Sequence, residues 1–310
     1  MRALLAFTLF LAACSSSPDP AGGGGDGGTD AGPVVPAGPV YGAKCSSMSD
    51  GDTKAWEEIA VVRGKLGMGA LDCNDAITKA AFGHSSYIVQ NGGALTHTQT
   101  AGKPGFTGVN FWDRMKAAGF TGPGSAMFEV VHSLSDPHGA ILGEGGWVNS
   151  LYHRIPFVSF GAKSYGWGAE GIGRPAAATI DFASGGAAAA AGTVAVWPVD
   201  GETEVWSTFR CASESPNPLP GQTNAGYPVS LTGAGALDLS EHTIAPADGA
   251  ALEHVLLSKT TDKTGLIPAD QIFLIPKDPL AKSTRYNVTV KGTVGGTPFG
   301  KTWTFTTGAT

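Results

Sequence analysis

A run of ten small residues, Ala183 to Gly192 (ASGGAAAAAG), divides this chain into two textures that no single repeating pattern accommodates. Such a low-complexity stretch has too little apolar side chain to pack and reads as a linker between domains. Before it, apolar residues recur at helical spacing. Asp52-Thr53 offers an N-cap, and Trp56, Ile59, Ala60 and Leu66 follow at helical intervals until Gly67 and Gly69 stop the helix. A second helix is predicted over 75–89, with Ile77, Ala80, Ala81, His84 and Ile88 on one face and Asn91-Gly92-Gly93 as its stop. A short third helix is expected over 111–118, a glycine-loosened fourth over 140–152, and strands over 165–168 and 179–182. After the linker, short alternating runs appear at 194–197, 229–232, 254–257, 271–275, 286–290 and 303–306, separated by turn clusters such as Asp200-Gly201. That spacing predicts a β-sandwich.

The amino-terminal end has its own logic. Met1-Arg2 is positive and residues 3–13 are apolar apart from Thr8. A run that short cannot cross a hydrocarbon core, which needs roughly 20 helical residues, so it reads as a signal-peptide core. It closes on Leu11-Ala12-Ala13-Cys14, which resembles the lipobox of bacterial lipoproteins, where cleavage precedes the cysteine and the thiol carries diacylglycerol. Lipidation at Cys14 implies membrane anchoring at the cell envelope, on the outer membrane or cell surface, and an extracytoplasmic, oxidising environment. Residues 15–40 hold Gly or Pro at 13 of 26 positions and no Lys or Arg. A segment of that composition is a flexible tether spanning about 30 Å.

Residues 41–182 and 193–310 then suit two domains. Charged residues make up 15% of the chain and the net charge is −6, with no basic stripe to follow nucleic acid. Of the three later cysteines, Cys45 and Cys73 flank one helical segment and are expected to form a disulfide, which leaves Cys211 over.

The middle of the first part carries a run of motifs in register. Gly67-Met68-Gly69-Ala70-Leu71 precedes His84-Ser85-Ser86-Tyr87, then Asn91-Gly92, His97, Phe106-Thr107-Gly108, Asp113-Arg114, Ala118-Gly119-Phe120 and Glu129. Trp147-Val148-Asn149-Ser150, His153-Arg154 and Tyr165-Gly166-Trp167-Gly168 complete it. In order and spacing this resembles the bacterial branch of the CAP superfamily (cysteine-rich secretory proteins, antigen 5, pathogenesis-related 1) over residues 57–182. The resemblance implies an α+β chain that begins with an α-β-α sandwich bearing a concave His/Glu site. His97 matches the first cavity histidine, Glu129 the first cavity glutamate and His153 the histidine of the His-Arg element. The second glutamate of the eukaryotic branch falls on Ser150 and its strand histidine has no match, so the tetrad is incomplete.

On their own chemistry, two imidazoles and a carboxylate make a plausible shell for Zn²⁺ or another divalent cation. They equally make a metal-free acid–base set, or three buried groups satisfying one another's hydrogen bonds. Ser150 and His153 lie three apart with no orienting carboxylate in sequence, which argues against a serine hydrolase. His84 reads as a packed histidine, His132 and His138 as solvated loop residues, and Arg114 and Arg154 as structural ion-pair partners. Trp112, Trp147 and Trp167 read as core anchors.

The last part, from Val196-Trp197-Pro198 to Thr284-Arg285-Tyr286-Asn287-Val288-Thr289-Val290 and Trp303-Thr304-Phe305-Thr306-Thr307, resembles bacterial Ig-like modules and carries no site-type residues in its motif. The expectation is an envelope lipoprotein whose His/Glu cleft binds a small ligand, a lipid or a divalent metal. The rivals are a metal-assisted hydrolase of cell-wall or extracellular peptides with Glu129 as base, and a structural adhesin acting through the Ig-like part.

Overall fold

In the computed structural model, which describes residues 38–122, 126–186 and 188–309, glycines bring one helix down onto the backbone of a sheet. The signal peptide, Cys14 and all but the last three residues of the tether lie outside the described residues.

The first half runs α1 (Asp50–Lys65), β1 (Asp72–Cys73), α2 (Asp75–Gln90), α3 (Phe111–Ala117), β2 (Ala126–His132), α4 (Pro137–Ile141), β3 (Ala162–Glu170) and β4 (Ala177–Ser184). The second half holds β5 (Val194–Trp197), β6 (Glu202–Val205), β7 (Thr208–Phe209), β8 (Ala225–Gly226), β9 (Val229–Gly233), β10 (Leu237–Pro246), β11 (His254–Ser258), β12 (Gln271–Pro276), β13 (Arg285–Val294) and β14 (Thr297–Thr307). The chain is therefore a mixed α and β protein with more strand than helix.

Local chemistry sets the helix ends. Ser49 and Asp52 form a capping box on α1, with the cap at Ser49, three residues before the Asp52 read as the cap from sequence, because the Ser49 side chain accepts from the Asp52 N–H. Asn74 caps α2 by accepting from Ala76 and Ile77, and Asp136 with Pro137 behind it starts α4. The expected helix over 140–152 is absent. Past Ile141 the chain crosses Gly143, Gly145 (φ +69°) and Gly146, and continues as two 3-10 turns, Trp147–Asn149 and Tyr152–Arg154. Three glycines in four residues favour the turn over continued helix.

The first sheet has the order β1-β3-β4-β2, with β1 parallel to β3 and the other pairs antiparallel. Its two faces differ. Tyr165 and Trp167 join Ile59, Val62, Trp147 and Phe157 in the main core, whereas a Cβ on Gly166 or Gly168 would lie 2.0 Å from the Thr78 or Phe82 nitrogen of α2. Alternate residues of one strand thus face α1 on one side and touch the α2 backbone on the other. Trp147 and Trp167 are core residues as expected, but Trp112 is 44% exposed. It lies off the stripe of Phe111, Arg114, Met115 and Ala118 that α3 turns inward, and packs edge-on against Phe111 instead.

Two further four-stranded sheets, β10-β13-β14-β6 and β11-β12-β9-β5, share a core built from Val229, Leu231, Leu274, Val288, Trp303 and Phe305. The described residues belong to one compact unit, in which polar side chains stitch the two halves. Arg154, fully buried, donates to Val148 O (2.6 Å), Pro228 O (2.7 Å) and Ser230 Oγ (3.1 Å), and its guanidinium lies 5.0 Å from the Tyr227 ring centre. These partners are carbonyls, a hydroxyl and a ring, so the ion pair expected for Arg154 is replaced by dipoles. Gln271 donates to Ile155 O and Tyr152 to Asp262 across the same boundary. Cys45 and Cys73 form the disulfide, tying the segment before α1 to β1 across 28 residues. Cys211, left without a disulfide partner, is fully buried with its thiol directed at Gln222 O.

The glycine contact yields a direct expectation. Gly168→Ala forces its new methyl into the Phe82 backbone, so its urea midpoint should drop by an amount worth at least about 2 kcal/mol. A variant as stable as the parent would mean that α2 is free to move off the sheet.

Candidate functional site

Two histidine–glutamate pairs face one cleft. The first is assembled by α3, β2 and the loop between α2 and α3. Glu129 on β2 is buried, and its Oε2 pairs with the guanidinium of the fully buried Arg114. Its Oε1 accepts from Nδ1–H of His97 at 2.9 Å. Arg114 also donates to His97 O at 3.3 Å, so one guanidinium holds both the carboxylate and the loop that carries the imidazole. Arg114 therefore has its ion-pair partner in Glu129. Because Nδ1 of His97 is directed at a carboxylate, Nε2 is left to the open side, where the side chain is 55% exposed.

The second pair is built across the junction. His153 Nδ1 lies 2.6 Å from Oε1 of Glu214, which belongs to the segment after β7. Glu214 is buried and also accepts from the backbone N–H groups of Leu151 (2.9 Å), Tyr152 (3.0 Å) and His153 (3.3 Å). Burial raises the Glu214 carboxyl pKa, but the His153 charge and these donors outweigh it and hold the value below the ordinary carboxylate range. Ser150 Oγ is 3.4 Å from the same Nδ1 and itself donates to Trp147 O. A serine relay needs the acid on one ring nitrogen and the hydroxyl on the other, so Ser150, His153 and Glu214 do not form one.

His84 lies under the first pair. Its Nε2 donates to Thr96 O at 2.7 Å and its Nδ1 accepts from Gln99, with Glu129 3.8 Å away. Burial pushes its pKa down, so it is a neutral, packed ring. His132, expected as a solvated loop residue, instead ends β2, packs edge-on against Trp147 and accepts from the Leu134 N–H at 3.0 Å. Burial lowers its pKa as well. His138 sits apart, paired with Glu58 at 2.6 Å.

The cleft has a volume of about 600 Å³. His97, His132 and His153 line it with Asn149 and Ser150, while Leu95, Leu134, Trp206 and Phe209 add apolar surface. Trp206, Phe209 and Glu214 come from the second half, so one wall belongs to residues that the sequence motif of that half left without a role.

Of the three residues singled out from sequence, His97 and Glu129 are in direct contact, whereas His153 is paired with Glu214. Among the described residues no group of three or more His, Cys, Asp or Glu is placed to hold a metal ion. Both Glu129 oxygens are occupied by Arg114 and His97, which also removes it as a ready general base. Sequence reasoning passed over Glu214 and Asp181. Neither lies in a periodic pattern or a motif, and each acquires its partners from another segment. Asp181 stands opposite Glu129 in the β2–β4 register, is fully buried, and neither carboxyl oxygen has a hydrogen-bond partner. Burial first, and the Glu129 charge next, push its pKa well above 3.8, which favours the protonated carboxyl. No family model matches this chain, and no curated protein matches it.

The two carboxyls make opposite predictions. Glu129 is held below its ordinary value of 4.5 by His97, His84 and Arg114 against the effect of burial. Its stabilisation is present above pH ~4.5 and lost as pH falls through the folded value. Glu129→Gln leaves Arg114 as a buried charge without a counter-ion and should cost about 3–5 kcal/mol at neutral pH. Asp181 has a raised folded value, so the stability tied to its protonation is full below pH ~3.8 and falls as pH rises toward that value. Asp181→Asn keeps the shape and removes the titration. Its urea midpoint should exceed the parent's at pH 7 and show a flatter pH dependence, and an unchanged pH profile would mean that Asp181 is ionised.

Proposed function

We propose that this chain is a cell-envelope lipoprotein, anchored through Cys14, that displays a CAP-like module whose cleft binds a small amphiphilic ligand. One observation carries the reading. Two imidazoles, His97 and His153, face the cleft, each held at Nδ1 by a buried glutamate that leaves Nε2 for a ligand. Polar groups fixed on rigid elements beside aromatic surface are what a small-molecule site uses to orient and desolvate its occupant. The imidazoles suit a polar or anionic head, and Leu95, Leu134, Trp206 and Phe209 suit an apolar body. The lipobox-like Cys14 and the Gly/Pro tether support a position at the envelope, within reach of lipids and cell-wall fragments. The Ig-like second half serves as a support that also walls the cleft. The α-β-α layering around the first sheet and the register of motifs from His84 to Gly168 support the CAP-like reading.

The test is a fluorescence titration of residues 33–310 with cis-parinaric acid. Saturable binding is expected, weakened at least tenfold by His97→Ala or Trp206→Ala. No saturation, or binding untouched by both changes, overturns the reading. A parallel calorimetric titration with Zn²⁺ on the same variants decides whether a divalent cation is the occupant instead, since cation binding lost with His97→Ala would place the ion on Nε2 of that ring.

A further inference from the structure

Far from the cleft in sequence, two histidines meet on the second half. His242 lies on β10 and His254 on β11, and these are edge strands of the two different sheets. Both rings are half-buried, tilted 70° to one another with centres 4.9 Å apart, and Nδ1 of His242 is 2.7 Å from Nε2 of His254. The tautomers follow from a third contact. Nδ1 of His254 lies 2.9 Å from Leu252 O, and a carbonyl only accepts, so that nitrogen carries the proton. Nε2 of His254 is then a lone pair in the neutral ring, and His242 donates its Nδ1 proton to it. The corner that brings them together is fixed by the Leu252 N–H bond to Ile244 O at 2.7 Å.

We propose that this imidazole pair is a surface site for a borderline divalent cation, Cu²⁺, Ni²⁺ or Zn²⁺, that clips the two sheets together. A proton held between two nitrogens occupies the place that a cation takes when both lone pairs face inward. Two imidazole nitrogens bound tetrahedrally at about 2.0–2.1 Å are roughly 3.3 Å apart, so the 2.7 Å gap opens by roughly 0.6 Å. His242 releases its Nδ1 proton to water and takes one on Nε2, so neutral rings bind the ion with no net proton release. The Leu252 carbonyl holds the far nitrogen of His254, an outer contact that orients a ligating imidazole. Glu241 and Glu253, the residues before the two histidines, are instead paired with lysines, Lys291 and Lys277. Water therefore fills the remaining positions. Imidazole ligands favour Cu²⁺ over Ni²⁺ and Zn²⁺, which sets the expected order of affinity.

The experiment is calorimetry of the tag-free full chain in detergent, after chelator treatment, with NiCl₂ and CuCl₂. One site is expected that weakens at least tenfold in His242→Asn and in His254→Asn and is unchanged in His97→Ala. Nickel should also raise the melting temperature of the parent and not of His254→Asn, because an ion that binds only the folded chain stabilises it. The spin-resonance spectrum of the Cu²⁺-loaded His97→Ala protein should show two imidazole nitrogens, a readout that needs no change at the pair itself. No binding by the parent, retention in both asparagine variants, loss in His97→Ala, or fewer than two nitrogens on copper overturns the proposal.

Discussion

The guanidinium of Arg154 holds the molecule in its working shape. It sits fully buried where the 3-10 turns of the first half meet β9 and the segment before it, and its charge is balanced by carbonyl dipoles and a tyrosine face. A buried cation is costly unless acceptors surround it, and the carbonyls and hydroxyl that meet Nε and Nη1 come from both halves, which ties them at this junction. Glu214 does the reciprocal job from the other side, reaching back to three backbone N–H groups and to His153. The cleft follows from this exchange, since its walls come from both sides of a junction that cannot slide without stranding charge.

Within the first half the same economy of charge recurs. Arg114, Glu129 and His97 form a chain in which each member is held by the next, while the pKa of Asp181 beside them is pushed up by burial and the Glu129 charge. Two carboxyls side by side are thus pushed in opposite directions, Glu129 down by His97, His84 and Arg114 against the effect of burial, and Asp181 up by burial and the Glu129 charge. The exposed imidazole of His97 therefore rests on the buried Glu129–Arg114 pair.

Much of this was legible in the sequence, for reasons that differ by element. The α2 helix declared itself through the spacing of Ile77, Ala80, Ala81, His84 and Ile88, and the strands from Val194 onward through alternation. β2 did not, because AMFEVVH mixes apolar residues with a buried charge and shows no alternation. β10 did not either, since an edge strand such as LDLSEHTIAP carries polar residues along most of its length. The resemblance grouped His97, Glu129 and His153 as one cavity set and did not separate the His97–Glu129 pair from the His153–Glu214 pair. Glu214 and Asp181 were not anticipated, because their significance arises only when strands and segments distant in sequence come to lie side by side. The linker-like composition of 183–192 was read from its texture alone, and texture says nothing about the hydrogen bonds that couple what lies on either side.

The contact of α2 with Gly166 and Gly168 has a further implication. Where most helices rest on side chains whose sizes can drift and compensate, here main chain rests on main chain. The spacing between helix and sheet is thus set at these two points by the backbone, with no side chain between them. Everything that hangs from the end of α2, including the loop that presents His97, inherits that fixed datum.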